Sequence, residues 1–257
     1  GTATPSDTGG DESIPLPDRP VGPDLGLEWL SEARQAFADT RIHEARKQGF
    51  AILEKSRDPK ALDGARDLLG DIHTKMVFNK IPMAEKKEHT VTSGESLGLL
   101  AKRYGSTIEL VRDSNGLSSS MIRIGDRFLI LSSSFSIEVD KSDNLMIVYL
   151  NDRFFKWYRV GTGQYSSTPT GTFVVNDRIK HPDWWTGDGK KIPYGDPKNL
   201  LGTHWLSLDK PGYGIHGTWD DDTIGHQASA GCVRMLNEEV EELFKLIPLG
   251  TQVEVLD

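Results

Sequence analysis

The apolar residues of this chain change period part-way along, and that change limits what it can fold into. Up to about residue 78 they recur at helical spacing. Trp29, Ala33, Ala36 and Phe37 make one stripe, Ile42, Ala45, Gly49, Ile52 and Leu53 a second, and Leu62, Ala65, Leu69, Ile72 and Met76 a third. From residue 135 the pattern becomes short β-branched and aromatic runs broken by Gly and Pro, the signature of strands. Neither a single bundle nor a single sheet satisfies both halves, so the chain reads as multidomain.

Its 257 residues suffice for two or three small domains. Residues 1–24 hold almost no large apolar group and are expected to be a flexible lead, since they bury too little to offset ordering. Residues 25–78 are expected to form three short helices. Asp58-Pro59 marks the start of the third, with an N-cap followed by proline at the first helical position. The segment is similar to a tetratricopeptide-type helical hairpin, but it holds only about one and a half units where solenoids need several. It therefore reads as a packing or spacer bundle in preference to a peptide-binding groove. A polar linker with Pro82 is expected over 79–88.

A compact unit spans 89–131. Thr90-Val91-Thr92 is expected as a strand, and Ser93-Gly94-Glu95-Ser96-Leu97 leads into a helix carrying Leu100, Ala101 and Tyr104. Gly105 ends that helix, Ile108–Arg112 forms a second, and Arg127–Leu131 closes the unit. These motifs, with Asn115-Gly116-Leu117 and Ile124-Gly125-Asp126, resemble a LysM domain. The resemblance implies a βααβ fold that binds N-acetylglucosamine-containing glycan or serves as a spacer. His89 stands where an aromatic is usual, and Glu95 where Asp is usual. Over 135–257, strands are expected at 135–140, 145–150, 154–160, 172–175, 203–208 and 252–256, with a helix at 238–246. Together these make a mostly-β sandwich.

Composition removes several functions. The 30 Lys and Arg against 38 Asp and Glu give a net charge of −8, and no basic run is longer than an isolated doublet such as Lys86-Lys87 or Lys190-Lys191. Polyanion binding needs clustered cations, so nucleic acid is not an expected partner. No apolar run approaches the roughly 20 residues of a transmembrane helix. The chain starts at Gly1 without a signal-peptide pattern, as expected of a processed or truncated protein whose missing segment exported or anchored it. The single cysteine allows no intrachain disulfide, and no Cys/His spacing resembles a metal site. No cofactor is expected.

A lone cysteine is more often an inert small hydrophobe than a nucleophile, so its neighbours decide. Gly214-Ile215-His216-Gly217-Thr218 precedes Ala228-Ser229-Ala230-Gly231-Cys232-Val233-Arg234-Met235. Acyl transfer at sulfur needs an imidazole to take the thiol proton. That imidazole needs an acceptor on its other nitrogen to fix the tautomer. The tetrahedral oxyanion needs backbone N–H groups in a stretch of small residues. His216 offers the imidazole and the run before Cys232 the small residues and N–H groups, though a gap of 16 residues proves no contact.

The run is similar to the active-site signature of the L,D-transpeptidase (YkuD) family: His-Gly, a loop, then Ser-x-Gly-Cys-x-Arg. Likeness continues through Gly161-Thr162-Gly163, Thr168-Pro169-Thr170-Gly171-Thr172-Phe173, Ile192-Pro193-Tyr194-Gly195-Asp196-Pro197, Asn199-Leu200-Leu201-Gly202-Thr203 and Leu249-Gly250-Thr251. Ala230 stands where His is common. The resemblance implies Cys232 as nucleophile on the third residue of a peptidoglycan tetrapeptide stem and His216 as base. It also implies Gly217 as the orienting carbonyl, and the N–H groups of Ala230, Gly231 and Cys232 as the oxyanion hole. Arg234 is either a substrate-carboxylate site or a structural ion pair with a neighbour such as Glu238. Ser229, Tyr213, His204, Trp205 and Trp219 are further candidate substrate contacts, with His204 and His226 open to a purely structural reading. Trp184-Trp185 sits in a stretch, 180–198, that is either a lid or a loop pinned by its own aromatics. The partner so implied is peptidoglycan, outside the bacterial cytoplasm. A non-catalytic wall-binding protein using the LysM-like unit is the alternative.

Overall fold

The computed structural model describes residues 23–257, so the lead expected over 1–24 lies outside it except for Pro23 and Asp24. Helices α1 (Gly26–Ala38), α2 (Ile42–Lys55) and α3 (Pro59–Phe78) follow. The stripes read from sequence face inward: Ala33, Ala36, Ala45, Ile52, Ala65, Leu69, Ile72 and Met76 are all fully buried. Asp58 caps α3 through its carboxylate, which accepts from the N–H groups of Lys60 (2.8 Å) and Ala61 (3.0 Å). Asp24 accepts from Ser56 Oγ (2.8 Å) and from the N–H of Asp58 (3.0 Å), which ties the start of α1 to the α2–α3 turn.

The next unit is β1 (Lys86–Thr90), α4 (Leu97–Tyr104), α5 (Ile108–Ser114) and β2 (Arg127–Leu131), with β1 and β2 antiparallel. The first strand was expected at Thr90–Thr92 and instead begins earlier, at Lys86 within the expected linker, and ends at Thr90. The reason is Lys86. Its side chain is buried, and Nζ donates to the carbonyls of Met76 (2.7 Å) and Asn79 (2.6 Å) at the end of α3. An inward lysine that satisfies helix-terminal carbonyls gives the segment a polar look although it is paired. The two departures from the LysM pattern bond to each other. His89 Nε2 lies 2.8 Å from Glu95 Oε2, and His89 Nδ1 lies 3.0 Å from Tyr104 Oη.

The C-terminal domain contains β3 (Phe135–Asp140), β4 (Leu145–Leu150), β5 (Arg153–Arg159), β6 (Thr162–Gly163), β7 (Gly171–Lys180), β8 (Trp184–Trp185), β9 (Lys191–Ile192), β10 (His204–Leu208), β11 (Gly214–Thr218), β12 (Gln227–Ser229), β13 (Val233–Leu236), α6 (Asn237–Leu246) and β14 (Gln252–Leu256). Eight strands form one sheet in the order β13-β11-β10-β7-β14-β3-β4-β5. Asn151 and Asp152 both take positive φ in the two-residue turn between β4 and β5, which suits the twist of a tight hairpin. β7 is longer than expected because it serves two halves. Its start pairs with β14 and its end with β10. The sheet nearly closes on itself: just past β5, Gly161 exchanges two backbone hydrogen bonds of 2.8 Å with Arg234 of β13. This is the mostly-β architecture expected, with α6 packed against β10 and β11.

The three units are in contact. α3 lies along β5, where Trp157 Nε1 donates to Asp67 (2.8 Å). His73 of α3 is buried there, with Nδ1 2.7 Å from Phe155 O and Nε2 accepting from Arg46 Nε at 3.1 Å. A carbonyl on one nitrogen and a cationic donor on the other admit only the neutral ring. Burial pushes its pKa down to about 4. On the other flank Arg178 and Lys180 of β7 pair with Glu109 of α5 (3.4 and 3.0 Å), and Lys245 of α6 pairs with Asp113 (3.3 Å). Among the described residues no helix is long and apolar enough to cross a membrane.

The depressed pKa of His73 sets a pH dependence. The unfolded chain protonates this histidine below about 6.5 while the folded chain does not, so stability is complete above pH 6.5 and is lost as pH falls toward 4. The expected loss from this group is roughly 3 kcal/mol. Denaturant midpoints at pH 7, 5.5 and 4 should show it, and a His73→Gln variant should lose much less over the same range.

Candidate active site

β11 and β13 run parallel, in a register that sets Ile215 against Val233 and His216 against Arg234. Side chains alternate faces along a strand. His216 and Arg234 therefore share a face. Cys232 immediately precedes β13, and its thiol meets the Gly212 carbonyl and the Gly214 backbone at the start of β11. Ile215, Val233 and Met235 take the other face, where they are buried under α6.

The backbone at the site is built on close approaches. Gly231 has φ +135°, and a Cβ there would lie 2.8 Å from the Tyr213 ring. A Cβ on Gly214 would lie 2.6 Å from the Trp205 ring, which stacks on His216 with centroids 5.5 Å apart. β6 pairs with β12, which brings the turn after Gly161 against the cysteine loop. A Cβ on Gly163 would lie 2.9 Å from Gly231 Cα. At the tip of that turn Tyr165 has positive φ and is 98% exposed.

His216 is buried, and its Nδ1 lies 2.6 Å from the Gly217 carbonyl. A carbonyl only accepts, so Nδ1 carries the proton and the lone pair sits on Nε2. Burial drives the ring pKa down to about 4; the carbonyls of Gly217 and Leu201 pull it up and the Arg234 charge pushes it down. Burial raises the Cys232 thiol, and the Gly214 backbone and the Arg234 charge partly offset this. Both groups are therefore neutral at rest. The thiol faces the Gly212 carbonyl at 3.6 Å.

The candidate residues separate into groups. Ser229 is buried, and its hydroxyl accepts from Gly231 N–H (3.0 Å) and donates to the Cys232 carbonyl (2.7 Å). It is a clamp on the cysteine loop, with its only hydroxyl proton committed to the Cys232 carbonyl, so, contrary to expectation, it cannot donate to substrate. The same hydroxyl occupies the Gly231 N–H, one of the three expected oxyanion donors. Among the described residues the N–H groups of Ala230 and Cys232 donate to no protein acceptor. His204 is corrected too. It neighbours Trp205 on β10 and so points to the opposite face, where it packs on Phe244 of α6 (4.6 Å) and bonds Thr203 Oγ1 (3.1 Å). Trp205 and Tyr213 line the site, Trp219 stands beyond β11 at 57% exposure, and His226 is exposed. Arg234 forms no ion pair with Glu238 among the described residues, and its Nε is buried without a partner. The 180–198 stretch is a pinned hairpin: β8 pairs with β9, and Asn199 Nδ2 donates to Pro182 O (2.9 Å) and Ile192 O (3.1 Å).

Asn237 escaped the sequence reading. Its Oδ1 accepts from Thr203 N–H (3.0 Å) and its Nδ2 donates to Thr218 O (2.7 Å), which holds the end of the His216 strand. Gly202 and Gly217 both lack the Cβ that would strike Asn237 Oδ1. Those two glycines, each beside a threonine, were the available signal.

The L,D-transpeptidase catalytic domain family matches residues 134–255, and the LysM domain family matches residues 89–130. The YkuD protein of Bacillus licheniformis, named as an L,D-transpeptidase, is 31% identical over 175 residues, which cover 65% of this chain and 97% of that protein. YqjB of Bacillus subtilis, named likewise, is 38% identical over 125 residues, 46% of this chain and 69% of that protein. The YkuD protein of Bacillus subtilis is 29% identical over 65% of this chain and 97% of its own length. The chain belongs to the L,D-transpeptidase family, a family of cell-wall acyltransferases, and carries a LysM domain. Both domains are directed to peptidoglycan and point to a cell-wall location outside the cytoplasm.

Asn237→Ala removes both bonds and leaves a backbone N–H and a carbonyl unpaired. It should lower stability by about 2 kcal/mol or more and slow covalent labelling of Cys232. A Tm and a labelling rate equal to those of the unaltered protein would show the clamp to be dispensable.

Proposed function

We propose that this enzyme is a peptidoglycan L,D-transpeptidase working through a thioester on Cys232. The observation that carries the reading is the shared face of β11 and β13. It holds an imidazole with its lone pair on Nε2, with the only thiol of the chain just before β13 and two free N–H groups beside it.

The resting pair is neutral, so proton transfer accompanies attack. The thiol leaves the Gly212 carbonyl and gives its proton to Nε2 as sulfur bonds to the carbonyl carbon of the third stem residue. The oxyanion is met by the Ala230 and Cys232 N–H groups. Collapse breaks the C–N bond to the terminal D-alanine, and His216 returns the proton to the departing amine. An amine of a second stem then resolves the thioester into a 3→3 cross-link. Water at the same step gives carboxypeptidase activity. Arg234, charged beside both groups, is suited to a stem carboxylate. The LysM domain holds the glycan.

Cys232→Ala should abolish both cross-linked and hydrolysed products from disaccharide-tetrapeptide while keeping the unaltered Tm; turnover surviving in that variant removes the proposal. Simple alkylation does not separate catalysis from a binding-only role, because burial raises the thiol in either case. A pH profile does. With His216 near 4, carbapenem acylation of Cys232, followed by intact mass, should hold from pH 7 to about 5 and fall only toward 4. A fall centred near 6.5 would mean a solvated imidazole or a different base.

A further inference from the structure

Between the helical bundle and the catalytic domain lies a cleft of about 710 Å³, a size suited to a small molecule or short peptide. α3 forms one wall with Asp67 and Asp71. β5 forms the other with Trp157 and Arg159, and Leu236 and Glu239 line it where α6 begins. Most of its charges are already paired: Asp67 with Trp157 Nε1, Arg66 with Asp63 (2.8 Å), Lys156 with Glu242 (2.6 Å). Asp71 stands in solvent.

Two groups differ. Among the described residues the Arg159 guanidinium has no ion-pair or hydrogen-bond partner, and Glu239 Oε2 is buried with no donor facing it. A buried acceptor without a donor is destabilising, and an arriving N–H group would relieve it. Burial also raises the Glu239 carboxyl, against the Leu236 backbone that lowers it.

Both groups stand where the sheet closes. Arg159 lies two residues before Gly161, which bridges Arg234, and Glu239 follows Leu236, four residues beyond Cys232 along β13. At about 3.3 Å per residue that is roughly 13 Å, the span of an extended four-residue peptide. We propose that this cleft holds the body of the attacking peptidoglycan stem, with Arg159 on a stem carboxylate, Glu239 accepting from stem amide N–H groups, and Trp157 as the apolar wall. The proposal rests on the thioester reading and adds the surface that presents the acceptor. The acceptor amine forms the new C–N bond as the C–S bond breaks. Its surplus proton passes to His216 and from there to sulfur.

The test compares two acceptors on the full chain, the disaccharide-tetrapeptide and the small amine glycinamide. Arg159→Glu alters an exposed side chain and should fold normally. It should raise the KM for the tetrapeptide acceptor about ten-fold, the effect of losing one charge-assisted hydrogen bond. The KM for glycinamide and the rate of carbapenem acylation should stay as they were. Glu239→Gln, which keeps one carbonyl acceptor, should give a smaller change in the same direction. Equal KM changes for both acceptors, or none, overturn the proposal. If the unaltered protein forms no thioester at all, the catalytic reading fails separately. The cleft is then judged by calorimetry with the sugar-free tetrapeptide, comparing Cys232→Ala with Cys232→Ala/Arg159→Glu. Weaker binding in the double variant supports the site, and equal binding overturns it.

Discussion

The parallel pairing of β11 with β13 is the constraint on which the site depends. It sets His216 beside Arg234, whose charge acts on both the imidazole and the Cys232 thiol although 16 residues separate them. Tight pairing here requires missing side chains. Gly214 admits the Trp205 ring behind His216, Gly217 admits Asn237, and Gly231 turns at φ +135° under Tyr213. Only glycine takes that φ without strain. Ser229 then fixes the loop from below by bonding both the residue before the cysteine and the cysteine's own carbonyl. The precision of the site therefore comes from backbone approaches, and side-chain bonds secure them.

The electrostatics follow from the same packing. Burial penalises an imidazolium and a thiolate alike, so the resting state is the uncharged pair. Arg234 acts on the two partners in opposite senses. It disfavours the protonated ring and favours ionised sulfur, so its effects largely cancel while the proton moves from one to the other. Its charge is uncancelled once an anionic carboxylate or oxyanion is present. The carbonyls of Gly217 and Leu201 supply the compensating stabilisation of the ring when it takes the proton.

Much of this was legible in the sequence, and the exceptions have physical reasons. Helical stripes and the Asp58-Pro59 start are local signals, and local bonds enforce them. β1 was misplaced because Lys86, a residue type associated with solvent, spends its charge on the end of another helix. His89 and Glu95 each departed from the LysM pattern, yet they compensate one another across the fold. His204 and Trp205 are adjacent in sequence, so nothing local says which faces the thiol. Only the pairing of Trp205 with His216 decides it. Asn237 gave no local signal, because its two bonds to Thr203 and Thr218 exist only after the sheet has formed.

The contacts between units bear on how the domains work together. Glu109 on the LysM domain is largely withdrawn from water and meets two cations of β7, and the Thr107 hydroxyl donates to the Lys245 carbonyl at the end of α6. Exposed ion pairs contribute little, but a sheltered cluster of this kind restricts orientation, because breaking it leaves buried charge uncompensated. On the opposite flank, His73 must stay neutral to serve Arg46 and Phe155 at once, so the bundle is held by a bond set that tolerates no proton. A glycan-directed domain and a catalytic domain joined in this way keep a set spacing. On the proposed reading, that fixed distance limits which stems along a strand come within reach of Cys232.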